Sequence, residues 1–233
     1  MRYPPWRLFA AAFLLMNLTC ALAATTPRVR VTTSMGQFVI EVYPERAPLT
    51  VANFLRYVRE GHYTDTLFHR VVGNFVIQGG GHAASDMHLK TGHDPVVNES
   101  GNGLQNKRGA VGLARSDSPH SGNAQFYVDI SDNPDLDPVP TRWGYAVFGR
   151  VVEGMDVVDR IGAVATGTVG PFKSDSPLKP IIIQKVEEID ASARAPAPAA
   201  PAAAAASAGT GAAAPASVPP SAAPPAAPSP PPH

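Results

Sequence analysis

The stretch TLFHRVVGNFVIQGGG, from Thr66 to Gly81, contains two apolar segments separated by Gly73 and Asn74. β-Branched and aromatic residues favour strands, and turn residues separate them, so the stretch predicts two adjoining β-strands. It also places Arg70 inside an otherwise apolar strand. Arginine is rarely buried without a partner. On pattern alone, Arg70 is therefore either an outward-facing strand residue or part of a polar site.

The same β-prone character recurs along the chain and predicts a mainly β fold. Alternating apolar and polar residues over 28–44, interrupted at Gly36, predict a β-hairpin. Turn residues separate six more strand-like segments, which read TLFHRVV, NFVIQGG, GAVGLAR, AQFYVDI, YAVFGRVV and PIIIQKVEEI. Eight strands without a regular βαβ alternation indicate an antiparallel sheet closed into a barrel.

Two segments have the periodicity of helices. In the first, over residues 47–63, apolar residues follow the i, i+3, i+4 and i+7 spacing of one buried helix face. These residues are Val51, Phe54, Leu55 and Val58. The second, over residues 153–162, predicts a short helix that buries Val157, Val158 and Ile161. The predicted architecture is an eight-stranded antiparallel β-barrel with two α-helices.

Residues 1–23 have the three parts of a secretory signal peptide: a positive start with Arg2 and Arg7, an apolar run, and small residues for cleavage. The apolar run is shorter than the ~20 residues that span a bilayer comfortably. We therefore predict cleavage and no stable membrane insertion. An uncleaved membrane anchor is the alternative, and a lipid anchor on Cys20 is a weaker one because polar residues precede it.

The C-terminal residues 191–233 consist almost entirely of Ala, Pro, Ser and Gly, and they hold about half of the 25 prolines. Alanine supplies little buried area and proline removes backbone donors, so we predict a disordered tail that acts as a spacer. One globular domain, over residues 27–190, remains between the leader and this tail.

Charge and cysteine content exclude several classes of function. The chain has 19 Lys and Arg and 19 Asp and Glu, and removal of Arg2 and Arg7 leaves 17 basic side chains. A domain with this charge balance lacks the excess of basic side chains that binds nucleic acid. Because Cys20 is the only cysteine, the mature chain would contain no thiol nucleophile and no thiolate metal ligand.

A short polar segment contains three histidines, His82, His88 and His93, which suggest a metal site. Their spacing matches neither H-E-x-x-H nor the Cys/His pairs typical of zinc sites. Surface histidines on a loop are the preferred interpretation, and we predict no metal.

The residues Gly79, Gly81 and Ala84 fit the G-x-G-x-x-A pattern of dinucleotide sites. Such a site needs a helix to begin at the glycines, and the following residues have no buried-face periodicity. The glycines are better explained by a sharp turn or a close backbone approach.

Three polar side chains, Arg70, Gln78 and Gln125, lie within or beside apolar strand segments. If they share one face of the barrel, they form a hydrogen-bonding floor beside an apolar pocket.

Three motifs between Val29 and Ile189 resemble those of the cyclophilins and occur in the same order. They are FHRVVGNFVIQGGG, NAQFYVDI and GYAVFGRVVEGMDVVDRI. The segments EVYPERAPLTVANFLRYVREGHY and DNPDLD are most similar to the bacterial periplasmic branch. The resemblance implies a cofactor-independent peptidyl-prolyl cis-trans isomerase on an eight-stranded barrel capped by two helices. It also implies a periplasmic protein that acts on Xaa-Pro bonds of exported polypeptides during folding. Nothing in the sequence demands more than a monomer, and we predict one.

The resemblance also implies roles for individual residues. Arg70 would stabilise the twisted amide, and Gln78 would help to hold Arg70. The implied substrate-binding residues are Phe68, His69, Phe75, Val76, Ala114, Arg115, Ser116, Gln125, Tyr127, Leu136 and Tyr145. Phe126 alternates with Tyr127 and is expected to face the core.

This chain departs from many relatives at four positions near the implied site. Val76 is smaller than the usual Met, and Tyr127 adds a hydroxyl to the usual Phe. Asp135 and Tyr145 stand where many eukaryotic members have Trp and His. None of these changes removes Arg70, so we expect catalysis, with a non-catalytic, chaperone-like module that binds Pro-containing peptides as the alternative.

Overall fold

The computed structural model describes residues 26–189. The predicted signal peptide (1–23) and the predicted tail (191–233) lie outside the described residues. Eleven strands are present in the described part: β1 (Arg28–Thr33), β2 (Gly36–Val42), β3 (Thr66–Leu67), β4 (Arg70–Val72), β5 (Val76–Gly79), β6 (Ala110–Leu113), β7 (Phe126–Asp129), β8 (Val147–Glu153), β9 (Thr166–Val169), β10 (Phe172–Pro177) and β11 (Ile182–Ile189).

Nine of these strands form one curled antiparallel sheet in the order β3-β11-β1-β2-β8-β6-β7-β5-β4. Its two edge strands are consecutive in the chain, because β3 continues into β4 through Phe68 and His69. The segment 66–72, predicted as one strand, therefore pairs with β11 at its start and with β5 at its end. With this segment counted once, the sheet has the eight predicted strands.

Both predicted helices are present. α1 (Pro48–Arg59) begins with Pro48 in its first turn, where a missing N–H costs nothing, and Gly61 follows its end with a φ of 66°. α2 (Met155–Gly162) buries the three residues that the periodicity indicates, Val157, Val158 and Ile161. The predicted mainly β class with two helices is confirmed.

The hydrophobic core lies between the concave face of the sheet and the helices. Phe54 of α1 contacts Phe126 and Phe148, with ring centroids 5.7 and 5.0 Å away. Alternation along β7 sends Phe126 and Val128 into this core and turns Tyr127 to the other face, as predicted. The opposite face of β4, β5 and β7 therefore carries side chains that are not part of this core.

A second, two-stranded sheet of β9 and β10 was not predicted. It forms a hairpin that packs beside β4. The exposed and half-buried residues of β9 alternate without a buried member, so the segment lacks the apolar signal of a core strand. Among residues 26–189, no helix has the length and apolarity needed to cross a bilayer.

Candidate active site

Three neighbouring strands place polar and aromatic side chains on the face opposite the core. Arg70 of β4 pairs with Gln78 of β5, and Gln78 pairs in turn with Tyr127 of β7. The residues next to them, Val71 and Ile77, point into the core. Because side chains alternate along a strand, Arg70, Gln78 and Tyr127 form a row across the outer surface.

A chain of polar contacts begins at the Arg70 guanidinium and runs through Gln78 to Gln125. Arg70 Nη1 donates to Gln78 Oε1 over 3.5 Å, and Gln78 Nε2 donates to Gln125 Oε1 over 3.0 Å. The structure thus brings together the three polar residues expected to share a face. The Arg70 guanidinium also lies 5.8 Å from the centroid of the Phe75 ring, so it borders an apolar surface.

The apolar part of the site surrounds Tyr127. Its ring lies directly over Gly112 of β6, where no larger side chain could fit, and its hydroxyl donates to Asn106 Oδ1 over 2.5 Å. Burial, followed by the charge of Asp129, raises the pKa of Tyr127 well above its ordinary value, so the hydroxyl stays neutral. The predicted wall residues Phe75, Val76, Leu136 and Tyr145 are half-buried except for Val76, which is buried.

A loop beyond β6 forms the rim of the site next to Tyr145. Arg115 lies 4.3 Å from the centroid of the Tyr145 ring, and its Nη2 donates to the Trp143 carbonyl over 2.9 Å. The Arg115 side chain thus binds the loop that contains Trp143 and Tyr145. Ala114 N donates to the Gln125 carbonyl, and Ser116 Oγ donates to Ser121 Oγ.

Two residues predicted to contact substrate lie elsewhere. In a regular strand Phe68 would share the outer face with Arg70, but the strand is interrupted at residues 68 and 69. Phe68 N instead donates to the Ile181 carbonyl, and its ring, 1% exposed, packs in the core 6.1 Å from Phe126. The Phe68 side chain therefore does not lie with the row, and its contact with substrate stays a prediction from the resemblance.

His69 is also buried away from the row, beneath the β9–β10 hairpin. Its ring lies 4.6 Å from His82 and 5.4 Å from Phe172. Burial, with smaller effects of His82 and Arg70, lowers the pKa of His69 to about 4. His69 is therefore a neutral packing residue at neutral pH, and its contact with substrate likewise stays a prediction.

Sequence reasoning missed Asp175, which lies on β10 beside the row. Its Oδ2 is 3.8 Å from Arg70 Nε, and both side chains are about two-fifths exposed (41% and 39%). The Gly170-Pro171 pair is a turn signal that could have indicated the hairpin carrying Asp175.

A second missed group lies under the site, where Asp129 of β7 is fully buried. Asn133 Nδ2 donates to Asp129 Oδ1 over 2.6 Å and to the Phe75 carbonyl over 3.0 Å. Asp129 Oδ2 has no partner among the described residues. Burial raises the pKa of Asp129 to about 7, and the Asn133 hydrogen bond opposes that rise only in part.

The three histidines considered as metal ligands do not converge. His82 packs against His69, while His93 Nε2 lies 2.6 Å from Glu60 Oε2. Within residues 26–189 no group of three or more His, Cys, Asp or Glu residues has a metal-binding arrangement.

Comparison with known proteins identifies the family. A sequence model of the cyclophilin type peptidyl-prolyl cis-trans isomerase/CLD family matches residues 28–188. The chain belongs to the cyclophilin family. The predicted family and enzyme class are thus confirmed at this level.

The similar cyclophilins include bacterial proteins matched over nearly their whole length. The chain is 44% identical to peptidyl-prolyl cis-trans isomerase A of Dickeya dadantii (strain 3937), over 78% of this chain and 97% of that protein. It is 46% identical to peptidyl-prolyl cis-trans isomerase B of Escherichia coli (strain K12), over 66% and 94%. A solved cyclophilin of Cryptosporidium parvum, crystallised in the presence of the dipeptide Ala-Pro, matches with a TM-score of 0.60 and 25% identity, over 70% of this chain and 99% of that one.

The glycines that end the opening stretch support the row by close packing. A Cβ on Gly79 would lie 2.7 Å from the Leu67 carbonyl oxygen, and one on Gly81 would lie 2.5 Å from Gln125 Cγ. Their role is therefore architectural, as the sequence indicates.

Substitution Gly81→Ala is expected to displace Gln125 and break its bond with Gln78. Loss of one neutral hydrogen bond corresponds to about a twofold to tenfold fall in isomerase kcat/KM. Exchange spectroscopy on an Ala-Pro peptide measures this fall. Gly101→Ala is the matched control, because no atom lies within 4 Å of its added Cβ. Equal losses in both variants would contradict the prediction.

Proposed function

We propose that this cyclophilin accelerates rotation about Xaa-Pro peptide bonds and that Arg70 provides the chemistry. The observation that carries the proposal is the placement of a half-exposed guanidinium at the edge of an apolar surface. Arg70 contacts Gln78, Asp175 and the Phe75 ring, and these contacts leave part of its planar fork of five N–H groups for a ligand.

The reaction requires only that the twisted amide be bound more tightly than the planar one. Amide resonance creates a barrier of about 18–20 kcal/mol, and uncatalysed Xaa-Pro exchange takes tens to hundreds of seconds. In the twisted state resonance is lost, the nitrogen becomes more basic and the carbonyl charge changes. A fixed guanidinium that donates to either atom stabilises that state selectively. A stabilisation of ~5–6 kcal/mol would accelerate exchange roughly ten-thousand-fold.

The residues around Arg70 would bind and orient the substrate. Phe75, Val76 and Leu136 offer an apolar wall for the proline ring, and the Tyr127 ring closes the floor. Gln78, held by Gln125, restrains the guanidinium. No covalent intermediate or proton transfer enters this mechanism.

We propose exported polypeptides with Xaa-Pro bonds as substrates and the periplasm as the location, as in the bacterial periplasmic branch. The leader-like residues 1–23 support export, and the absence of cysteine after Cys20 suits an oxidising compartment. The domain would act as a monomer, with residues 191–233 as a spacer.

Activity is tested by exchange spectroscopy on an Ala-Pro peptide with substoichiometric protein. Faster cis–trans exchange supports the isomerase. Peptide binding without any faster exchange would overturn it in favour of a non-catalytic module that binds Pro-containing peptides.

Export is tested separately, by expressing the full chain with its own leader and fractionating the cells. A periplasmic product whose mass matches cleavage after Ala23 supports the proposed location. A cytoplasmic product with the leader intact would contradict it.

A further inference from the structure

Asp175 approaches the guanidinium from the β9–β10 hairpin, outside the row formed by β4, β5 and β7. Its Oδ2 lies 3.8 Å from Arg70 Nε, and Ser174 Oγ lies 3.4 Å from the same oxygen. The Gln78 contact is made at a different nitrogen, Nη1. Arg70 thus has a polar neighbour at two separate points of its planar group, a carboxylate in an ion pair and an amide in a hydrogen bond.

The local backbone of β10 is arranged to present this carboxylate. Between the pairs Phe172–Val169 and Ser176–Gly167 the register shifts, so that three residues of β10 lie opposite one residue of β9. Asp175 lies within this bulge at a φ of 58°, in the left-handed region. Bulges and left-handed residues re-aim side chains and concentrate beside functional sites, although the conformation is unfavourable for most L-residues.

The hairpin that carries Asp175 is firmly attached to the domain. Phe172 packs against His69, with ring centroids 5.4 Å apart, and against His82, 4.9 Å away. Ser176 is 4% exposed. At the base of the hairpin, Leu178 N donates to the Ala165 carbonyl over 3.0 Å and closes the two arms on each other. Since His69 directly precedes Arg70, the hairpin is attached beside the residue that its carboxylate contacts.

We propose that Asp175 is a positioning residue for the guanidinium of Arg70. With Nε near Asp175 and Nη1 near Gln78, the plane of the group is set before substrate binds. An orientation fixed in advance increases the rate by lowering the cost of reaching the reactive geometry. The inference rests on the proposed role of Arg70, and it adds the hairpin to the parts of the chain that determine turnover.

The sharpest variant is Asp175→Asn, because asparagine has the same size and also tolerates a positive φ. Loss of a half-exposed ion pair of this kind is expected to lower kcat by about twofold to fivefold, with KM unchanged. High salt should lower kcat of the wild type towards that of the variant and leave the variant unaffected, because salt screens exposed charges. Asp94→Asn removes an exposed carboxylate from a segment outside the β9–β10 hairpin and the row, and it should behave as wild type.

Two further measurements separate this inference from the proposed function. In an Arg70→Ala background, Asp175→Asn should have no effect on turnover, since the group it positions is gone. The Arg70 Nε–H resonance should shift, and its exchange with water should quicken, in Asp175→Asn. This readout needs no activity, so an inactive wild type would overturn the proposed function alone. Unchanged kcat together with an unchanged Arg70 resonance would overturn the positioning role.

Discussion

Substitution Arg70→Ala is expected to lower isomerase kcat/KM by about 10²–10³-fold, the usual cost of removing one donor aimed at developing charge. The loss should lie mainly in kcat, because the donor is proposed to act on the twisted amide, while the apolar wall formed by Phe75 and Val76 still binds the proline ring. Arg70→Lys is expected to recover little. A lysine ammonium is a single point charge and cannot reach Gln78 and Asp175 together in the planar geometry of a guanidinium.

The measurement is exchange spectroscopy on an Ala-Pro peptide with thermal unfolding in parallel. Because the Arg70 side chain is 39% exposed, its removal should leave the fold intact. Arg56→Ala removes an arginine of α1 that is 57% exposed and paired with Glu60, and it is the matched control with expected wild-type turnover. Turnover of Arg70→Ala within twofold of the wild type would contradict the proposed mechanism.

The elements that the sequence predicts well are those whose signal is local. Periodicity of two over residues 28–44 and of 3.6 over residues 47–63 both require that one face be buried, and the structure buries these faces. The row that includes Arg70 and Gln78 follows from the same alternation, since residues 70 and 78 lie opposite each other in a hairpin.

The elements that the sequence misses depend on contacts between distant segments. Phe68 has the apolar character of a pocket wall, but the strand is interrupted where its partner changes from β11 to β5, and the ring lies in the core. Asp175 reaches Arg70 only because a bulged hairpin more than 90 residues later packs beside β4. Side-chain alternation along one segment contains no information about either event.

Asp129 illustrates the same limit in the chemistry of a single group. By alternation it shares the outer face with Tyr127, where a carboxylate would ordinarily meet water. The segment that follows folds over it, with Asn133 bridging Asp129 to the Phe75 carbonyl, and leaves the carboxyl fully buried. Its protonation is therefore tied to the folded state.

A raised pKa in the folded state makes stability depend on pH in a definite direction. Asp129 has a pKa of about 7 when folded and the ordinary value of about 3.9 when unfolded. Between these values the folded state binds the proton more tightly, so its stability falls as the pH rises from about 4 to 7 and levels off above that range. Ionisation of Asp129 therefore lowers the free energy of unfolding at pH 8, relative to pH 4, by on the order of 2–4 kcal/mol.

Asp129→Asn is expected to remove this cost, because the amide has the shape of the protonated carboxyl and keeps an oxygen for Asn133. Urea unfolding at pH 4 should give nearly equal free energies of unfolding for variant and wild type. At pH 8 the variant should be more stable by about 2–4 kcal/mol. Titration of His69 affects both proteins equally and cancels in the difference. Asp94→Asn is the control for loss of an exposed charge, with a difference near zero throughout. The difference in free energy of unfolding between Asp129→Asn and wild type should widen between pH 4 and 7. A constant difference would show that the buried carboxyl does not retain its proton as the geometry requires.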